Sequence, residues 1–458
     1  MNTTDLSHEL QNNENKAPTN MGRLFVNLGS ICAAFSFFSL WIGAFYLKIP
    51  MDSVIGFGWN DGSADGKCPS TLQGIGLHCF SDYYTPVQAL HMTNPWESGY
   101  AYTPLAGKLF LPFDLLGQVL NSPRIGLIAY LVSGSLCVLI PTIWASRSSA
   151  GFSFPILVIF GIFATPLINA FDRGSFVMFI TPLLFAYALN VCRQNWNFAI
   201  IALTLLSAIK PQFIVLLLPF LVHRQWFYLQ RGLRWSIGLN VLGFIAFTSE
   251  PIVVFKQWLN FAIAYNDPSQ AYGSSRANIS PIRLLSEILS LPLKVINQIA
   301  GSQLSINSMQ TTILVTLTLV LPLIIIGKKS NLFGLTIISM VIASIFIPTS
   351  NYYYQVFAVV PAAMIIRSPH TDTSKTGGIL DDHMFQSNIS WLAKWAILIA
   401  TLNSCFNLAI SDNLLPFMAD ISKMPGNVSR FFVGPTWVIT IVFIVVDSVL
   451  TSRKNRTQ

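Results

Sequence analysis

Charged side chains are scarce in this sequence: Asp, Glu, Lys and Arg make up 10% of the 458 residues, whereas 53% of the residues are hydrophobic. Soluble domains contain about 25% charged residues, so this scarcity excludes a water-soluble fold. A helix that crosses a bilayer needs about 20 mostly apolar residues, and such runs recur from Leu24 to Leu450. The composition therefore predicts an all-α polytopic membrane protein.

The sequence also lacks the residue clusters that bind metal ions or nucleic acids. Its six histidines are dispersed, no Cys–His spacing has the zinc pattern, and no acidic pair resembles a metal site. The net charge of +8 comes from basic residues scattered through short connectors. We therefore expect no metal, no other cofactor and no nucleic-acid partner.

Cysteine is rare as well, with six residues in the chain, four of them in apolar runs. The other two, Cys68 and Cys79, share the first long polar loop. If that loop faces an oxidising compartment, the two thiols could form a disulfide; two free thiols are the alternative.

The chain shows neither an internal repeat nor a cleavable signal peptide at its start. The lack of a repeat argues against transporter architectures that are built from duplicated halves. Residues 1–23 are polar and predict a cytoplasmic tail. We expect one integral membrane domain over 24–450 and a basic cytoplasmic tail over 451–458.

Hydropathy predicts twelve spans. They are 24–46, 124–146, 152–170, 175–192, 197–209, 212–223, 235–250, 310–327, 331–348, 352–366, 391–410 and 433–450. The fifth and sixth are short, so full crossings and half-helices that dip into the membrane are both open. With the N-terminus inside, nearly every short cytoplasmic connector is basic, as orientation by Lys and Arg requires. This topology places two large loops, 47–123 and 251–309, on the extracytoplasmic side of the cell membrane.

Charged residues in two short outward turns oppose this orientation. Asp172 and Arg173 follow the third span in "NAFDRGSF", and Lys210 separates the fifth and sixth spans in "SAIKPQF". Arg and Lys both bind phosphoryl oxygens, which predicts a site for the phosphate of a membrane lipid. Snorkelling toward ordinary head groups, or a span count that is wrong by one, would also explain the two basic residues.

The first outward loop contains "DYYTPVQALHMTNPWESGYAYTPLAG", which begins at Asp82. A carboxylate here can act as the general base for a hydroxyl nucleophile, or it can cap the helix that follows. Aromatic rings in the same loop suit a sugar, although an aromatic belt at the membrane interface is the alternative. The candidate sugar- or acceptor-binding residues are Tyr83, Tyr84, Trp96, Tyr100, Tyr102, Asp172, Asn278 and Tyr353, and Arg276 joins Arg173 and Lys210 as a candidate phosphate ligand.

The order of these segments resembles a known family. Asp82 followed by "NPW…YAYTPLAGKLFLPFDLL" resembles the D-x-Y…Y-x-YPPL-x-x-L-x-x-P run of the polyprenyl-phosphate-mannose-dependent mannosyltransferases (PimE-like, GT-C superfamily, GT87 type). "NAFDRGSFVMFITPLLFAYAL" is similar to that family's G-Q-x-N-x-L segment, "LTLLSAIKPQFIVLLLPFLVHRQW" to A-x-x-IKP-x-P-x-L, and "ANISPIRLL" to N-Q-S-L-x-G. The resemblance covers about residues 24–366. Two departures are that Phe171-Asp172-Arg173 replaces the Gln-Gly-type residues and that Tyr353 stands where the family has His.

The resemblance implies a GT-C-like bundle and a reaction. A polyprenyl-phosphate-linked sugar, mannose by family bias, would pass with inversion to a hydroxyl of a glycolipid or glycan acceptor on the extracytoplasmic side. Asp82 matches the family's catalytic acidic position, and Lys210 and Arg173 would stabilise the leaving phosphate. A carrier or flippase for a lipid-linked saccharide is the alternative, since it would also need aromatic grooves and phosphate-binding cations.

Overall fold

The regular secondary structure is entirely helical within the residues that the structure describes. The computed structural model describes residues 24, 27–32, 34, 35, 38, 80–98, 100, 102–146, 167, 170, 171, 173–265, 280–282, 285, 292, 298, 308–347, 350, 352–366, 389–405 and 428–457. The first and third predicted spans lie mostly outside these residues, and Cys68 and Cys79 lie outside them entirely.

The helices with described bounds are numbered here in chain order. The α-helices are α1 (Ser81–Leu90), α2 (Pro104–Lys108), α3 (Leu111–Val119), α4 (Pro123–Ser146), α5 (Val177–Cys192), α6 (Trp196–Ile209), α7 (Leu218–Val222), α8 (Trp226–Phe247), α9 (Pro251–Tyr265), α10 (Ser308–Ile326), α11 (Leu332–Ile345), α12 (Val359–Ile366), α13 (Trp391–Cys405) and α14 (Val428–Thr457). Short 3₁₀ helices cover Pro95–Ser98, Pro211–Leu217, Gly327–Lys329 and Tyr352–Ala358.

Three helical segments among the described residues are long and apolar enough to cross a membrane: Pro123–Ala145, Gln310–Lys329 and Val433–Ser452. Helices α8 and α9 together would make a fourth, broken span, because they meet at a bend of 117°. The other apolar helices have fewer than 18 residues. The predicted all-helical membrane fold is confirmed, whereas the number of twelve spans stays a prediction.

The predicted bounds were wrong around the seventh span. Helix α8 begins at Trp226, well before the predicted start at residue 235, and it includes Arg231 and Arg234, which the predicted span bounds place in a connector. The guanidinium of Arg231 lies 4.2 Å from the ring centre of Trp235, so its side chain lies along the helix surface. Helix α9 lies in the segment predicted to be an extracytoplasmic loop.

The break between the fifth and sixth predicted spans has a local cause. Proline disfavours a helical conformation in the residue that precedes it, and Lys210, which precedes Pro211, is extended (φ −138°, ψ 110°). Helix α6 therefore ends at Ile209. The predicted span 212–223 consists of the 3₁₀ helix Pro211–Leu217 followed by the short helix α7, not one continuous α-helix.

The main hydrophobic core is formed by α4, α5, α6, α11, α12 and α14 together with the 3₁₀ helices Pro211–Leu217 and Tyr352–Ala358. Helix α5 packs against α4, α6 and α11. Helix α1 lies beside α2 and α3 at the edge of this core, and the buried ring of Tyr83 contacts the rings of Phe110 and Tyr130. This packing places the first turn of α1 against the segment that leads into α5.

Candidate active site

Asp82 and Arg173 form a two-point ion pair, although 91 positions of sequence separate them. Nη2 of Arg173 donates to Oδ1 of Asp82 at 3.0 Å, and Nε donates to Oδ2 at 3.2 Å. The side chain of Asp82 is 14% exposed and that of Arg173 is 21% exposed. Paired charge-assisted hydrogen bonds fix the orientation of both groups. The two side chains are therefore held in place, and both remain partly exposed to solvent.

The structure does not place Asp82 as the cap of α1. The N-cap residue of this helix is Phe80, in a left-handed conformation with φ 56°, and it makes no capping hydrogen bond through its side chain. Asp82 lies in the first turn, where the positive end of the helix dipole favours a negative charge. The capping hypothesis is therefore wrong for Asp82, and its carboxylate is held by Arg173.

A helix end positions Arg173. The N–H of Gly174 donates to the carbonyl oxygen of Phe171 at 2.9 Å, and that of Ser175 donates to Ala170 at 2.8 Å. These two bonds form the standard helix C-terminus in which glycine adopts the left-handed conformation, and Gly174 has φ +64°. A Cβ on Gly174 would lie 2.8 Å from Cβ of Tyr83, so glycine also allows the close approach to α1.

The ammonium group of Lys210 lies over two aromatic rings. Its Nζ is 4.1 Å from the ring centre of Tyr354 and 5.1 Å from that of Phe176. Lys210 is in the connection between α6 and the next 3₁₀ helix, outside both helices. Burial lowers the pKa of Lys210 to about 7, while nearby Asp82 raises this pKa and nearby Arg173 lowers it. Lys210 therefore belongs to the same electrostatic cluster as the ion pair.

The loop before α2 connects this cluster to α6. The ring of Tyr102 packs edge-on against Phe176 at 5.0 Å between ring centres, next to the ammonium group of Lys210. Oγ1 of Thr103 donates to the carbonyl oxygen of Ala208 at 2.8 Å and accepts from the N–H of Ala106 at 3.4 Å. Thr103 thus starts α2 and fixes this loop beside the end of α6.

The charges of this cluster do not balance. Among the described residues that it brings together, Asp82 contributes one negative charge, and Arg173 and Lys210 can contribute one positive charge each. Partial burial makes an unbalanced charge costly. The cluster is therefore suited to a ligand with one additional negative charge.

The two tyrosines that follow Asp82 are placed differently. Tyr83 is 2% exposed, and its ring lies 4.9 Å from that of Tyr130. Burial, together with the nearby Tyr84 and Asp114, raises the pKa of Tyr83 well above its ordinary value, so its hydroxyl group stays protonated. Tyr84 is only partly buried and packs edge-on against Tyr83. Its predicted contact with a sugar stays a prediction.

Trp96 and Tyr100 belong to a second hydrophobic cluster with Phe244 and Val254. The Trp96 Nε1–H group donates to the carbonyl oxygen of Tyr102 at 3.0 Å, which stabilises the loop. The hydroxyl group of Tyr100 is buried and has no hydrogen-bond partner among the residues that the structure describes. Burial raises the pKa of Tyr100 well above its ordinary value. Both residues pack with Phe244 of α8 and Val254 of α9, and their predicted contact with a sugar stays a prediction.

Asp172, Arg276, Asn278 and the side chain of Tyr353 lie outside the described residues, so their predicted roles stay predictions. Sequence reasoning missed Thr103, Gly174, Phe176 and Tyr354. Two of these had a local signal: Thr-Pro is typical of a helix start, and a glycine after a basic residue is typical of a helix end. The contacts of Phe176 and Tyr354 with Lys210 had no such signal, because they depend on packing.

An apolar cavity of about 770 Å³ lies between α6, α8 and α9. Its lining includes Ser207 and Pro211, close to Lys210 in the chain, and the aromatic rings of Phe244, Phe255 and Trp258. The amide of Asn240 in this lining donates to the carbonyl oxygens of Ser207 and Ser236. Cavities of 300–1,000 Å³ are the usual size of ligand sites.

Comparison with protein families identifies a family for more than half of the chain. The sequence model of glycosyltransferase family 87 matches residues 100–348, a range that contains Tyr102, Arg173 and Lys210 and begins after Asp82. No curated protein and no solved structure matches the chain. The matched range is more than half of the 458 residues. Its helical membrane segments and this match identify the chain as a member of glycosyltransferase family 87, a polytopic membrane protein that acts as a glycosyltransferase.

Proposed function

We propose that this glycosyltransferase transfers a sugar from a polyprenyl-phosphate-linked donor to a hydroxyl group of a glycolipid or glycan. Asp82 is the general base, and Lys210 and Arg173 stabilise the donor phosphate as it leaves. The transfer takes place on the extracytoplasmic face of the cell membrane, as the predicted topology suggests. The sugar is mannose, by resemblance to the polyprenyl-phosphate-mannose-dependent enzymes.

The observation that carries this proposal is the grouping of Asp82, Arg173 and Lys210. When Lys210 is protonated, one carboxylate and two cations leave an excess of one positive charge among the described residues of this cluster. A phosphodiester between a polyprenol and a sugar carries one negative charge, which balances this excess. The same cluster also holds a carboxylate that is partly exposed, as a base that receives a proton from a substrate requires.

The reaction is a single displacement at the anomeric carbon. The acceptor hydroxyl gives its proton to an oxygen of Asp82, and its oxygen forms the new bond to the anomeric carbon. The bond from that carbon to the phosphate oxygen breaks, and its electron pair stays on the phosphate. Each carboxylate oxygen has two lone pairs, so Asp82 can accept this proton although Arg173 already donates to both oxygens.

The remaining features favour a lipid-linked donor over a soluble one. The cavity between α6, α8 and α9 is lined almost entirely by apolar side chains, and its residues Ser207 and Pro211 flank the chain position of Lys210. A chain anchored in lipid would place its phosphate at the membrane surface beside the bundle. The carrier alternative is not favoured, because the matched family consists of glycosyltransferases.

The substitution Asp82→Asn tests the general base. It keeps the size of the side chain but removes its ability to take a proton, so turnover with polyprenyl-phosphate mannose should fall by about 10²–10⁴-fold. Asp114→Asn is a matched control, since Asp114 is also in the first turn of a helix and pairs with His91 at 3.0 Å. This control should keep most of the activity. Near-normal transfer by the Asp82→Asn protein would exclude Asp82 as the base.

A further inference from the structure

The ion pair between Asp82 and Arg173 must change during the proposed reaction, because the negative charge of the site changes position. Before transfer, Asp82 carries one negative charge and the donor phosphodiester carries another. After transfer, Asp82 holds the acceptor proton and is neutral. The released phosphate is now a monoester, which has a charge of about −1.5 to −2 at neutral pH. The total charge is almost unchanged, but it lies on the phosphate.

We infer that Arg173 exchanges partners in each turnover: it binds the carboxylate of Asp82 before transfer and the released phosphate after it. This inference rests on the proposed function. Arg173 is then a positioning residue for Asp82 in the resting enzyme and a ligand of the phosphate in the product complex. Planar guanidinium groups bind carboxylates and phosphates with the same two-point geometry, so Arg173 can serve both partners.

The contacts of the two cations explain why Arg173 is the one that moves. Lys210 is held over the rings of Tyr354 and Phe176, and its nearest aromatic contacts do not change when a proton is transferred. Arg173, in contrast, has Asp82 as an ionic partner, and that partner loses its charge in the reaction. Electrostatic attraction is strong where the dielectric constant is low, so the guanidinium follows the negative charge.

The exchange also gives the site a way to release its product. When Asp82 loses its proton to solvent, the carboxylate competes again for Arg173. The released polyprenyl phosphate then loses a ligand and dissociates more easily. In the resting enzyme, the ion pair therefore lowers the affinity for polyprenyl phosphate that carries no sugar, and removal of the Asp82 charge should raise this affinity.

The test measures binding of polyprenyl monophosphate without sugar to the full-length protein in detergent. The Asp82→Asn protein should bind it at least about tenfold more tightly than the unchanged protein, as expected when a charged hydrogen-bonding group is released to the ligand. Misfolding cannot produce a gain of affinity. The Arg173→Gln protein serves as the second variant, and the protein with both substitutions completes a double-mutant cycle.

The cycle separates partner exchange from simple loss of repulsion between Asp82 and the phosphate. Partner exchange predicts that Asp82→Asn has almost no effect on affinity once Arg173 is Gln. A gain that persists in the Arg173→Gln background overturns the inference, and so does equal binding by the Asp82→Asn and unchanged proteins. If the Asp82→Asn protein, in which the ion pair no longer competes, also binds the lipid phosphate no better than inorganic phosphate, the proposed donor itself is wrong, and the inference fails with it.

Discussion

The hydroxyl group of Thr103 donates a hydrogen bond of 2.8 Å to the carbonyl oxygen of Ala208. This bond crosses 105 positions of sequence and connects the loop after α1 to the last turn of α6. Lys210 follows two residues later, and Tyr102 precedes Thr103. The bond therefore positions the aromatic loop and the phosphate-binding lysine relative to each other.

Thr103→Val should loosen this connection. The buried carbonyl oxygen of Ala208 would lose a partner, and the free energy of unfolding should fall by about 1–3 kcal/mol. Transfer activity should fall as well, because Tyr102 and Lys210 would no longer be held together. Thr103→Ser keeps the hydroxyl group and the helix cap, so it should retain both properties. Thermal unfolding in detergent and initial transfer rates measure the two effects, and equal behaviour of the Val and Ser variants would contradict the assigned role.

Gly174→Ala should destabilise the protein and lower its activity. A left-handed backbone costs a residue with a Cβ about 1–2 kcal/mol, and this Cβ would lie 2.8 Å from Cβ of Tyr83. The displacement of α1 should weaken the neighbouring ion pair of Arg173 with Asp82. Gly238→Ala is the control, because a Cβ at that position in α8 meets nothing within 4 Å. This substitution also removes a glycine from a helix interior, where glycine destabilises the helix by about 0.5–1 kcal/mol relative to alanine. The two unfolding temperatures should shift in opposite directions.

Lys210→Ala should weaken binding of the lipid-phosphate donor more than binding of the acceptor. Loss of a charge-assisted hydrogen bond costs about 1.5–3 kcal/mol, or roughly tenfold to over a hundredfold in affinity. Lys210→Arg should retain only part of the donor affinity, since a guanidinium differs in shape from an ammonium group. Lys108→Ala is the matched control, because Lys108 also lies over an aromatic ring, that of Phe247 at 5.6 Å. Unchanged donor affinity in the Lys210→Ala protein would exclude Lys210 from the phosphate site.

Donor affinity should depend on pH through Lys210. The pKa of this residue is lowered by burial to about 7, and only its protonated form attracts a phosphate. The protonated fraction is high below this pKa and falls by about tenfold per pH unit above it. The apparent KM for the donor should therefore rise between about pH 7 and pH 9. The Lys210→Arg protein keeps its charge over this range, so its donor KM should stay flat, and a parallel rise in that variant would assign the titration to another group.

The sequence predicted the main features of the fold because they depend on local composition. Long apolar runs require helices in a membrane, since every backbone polar group must be satisfied within the segment. Pro211 marked the end of α6 from its position alone. The bend between α8 and α9 was not predictable, because the hydropathy of 251–265 does not distinguish a second helix from an extracytoplasmic loop that lies against the membrane.

The candidate chemical groups could be identified from the amino-acid sequence: a carboxylate at Asp82, cations at Arg173 and Lys210, and tyrosines in the first loop. The partners of these groups depend on the tertiary structure. Arg173 binds Asp82, Tyr354 and Phe176 hold Lys210, and Tyr83 is buried in the core. The reason is physical: side-chain types follow from the chain locally, whereas an ion pair across 91 positions forms only when helix packing, including the close approach at Gly174, brings two distant turns together.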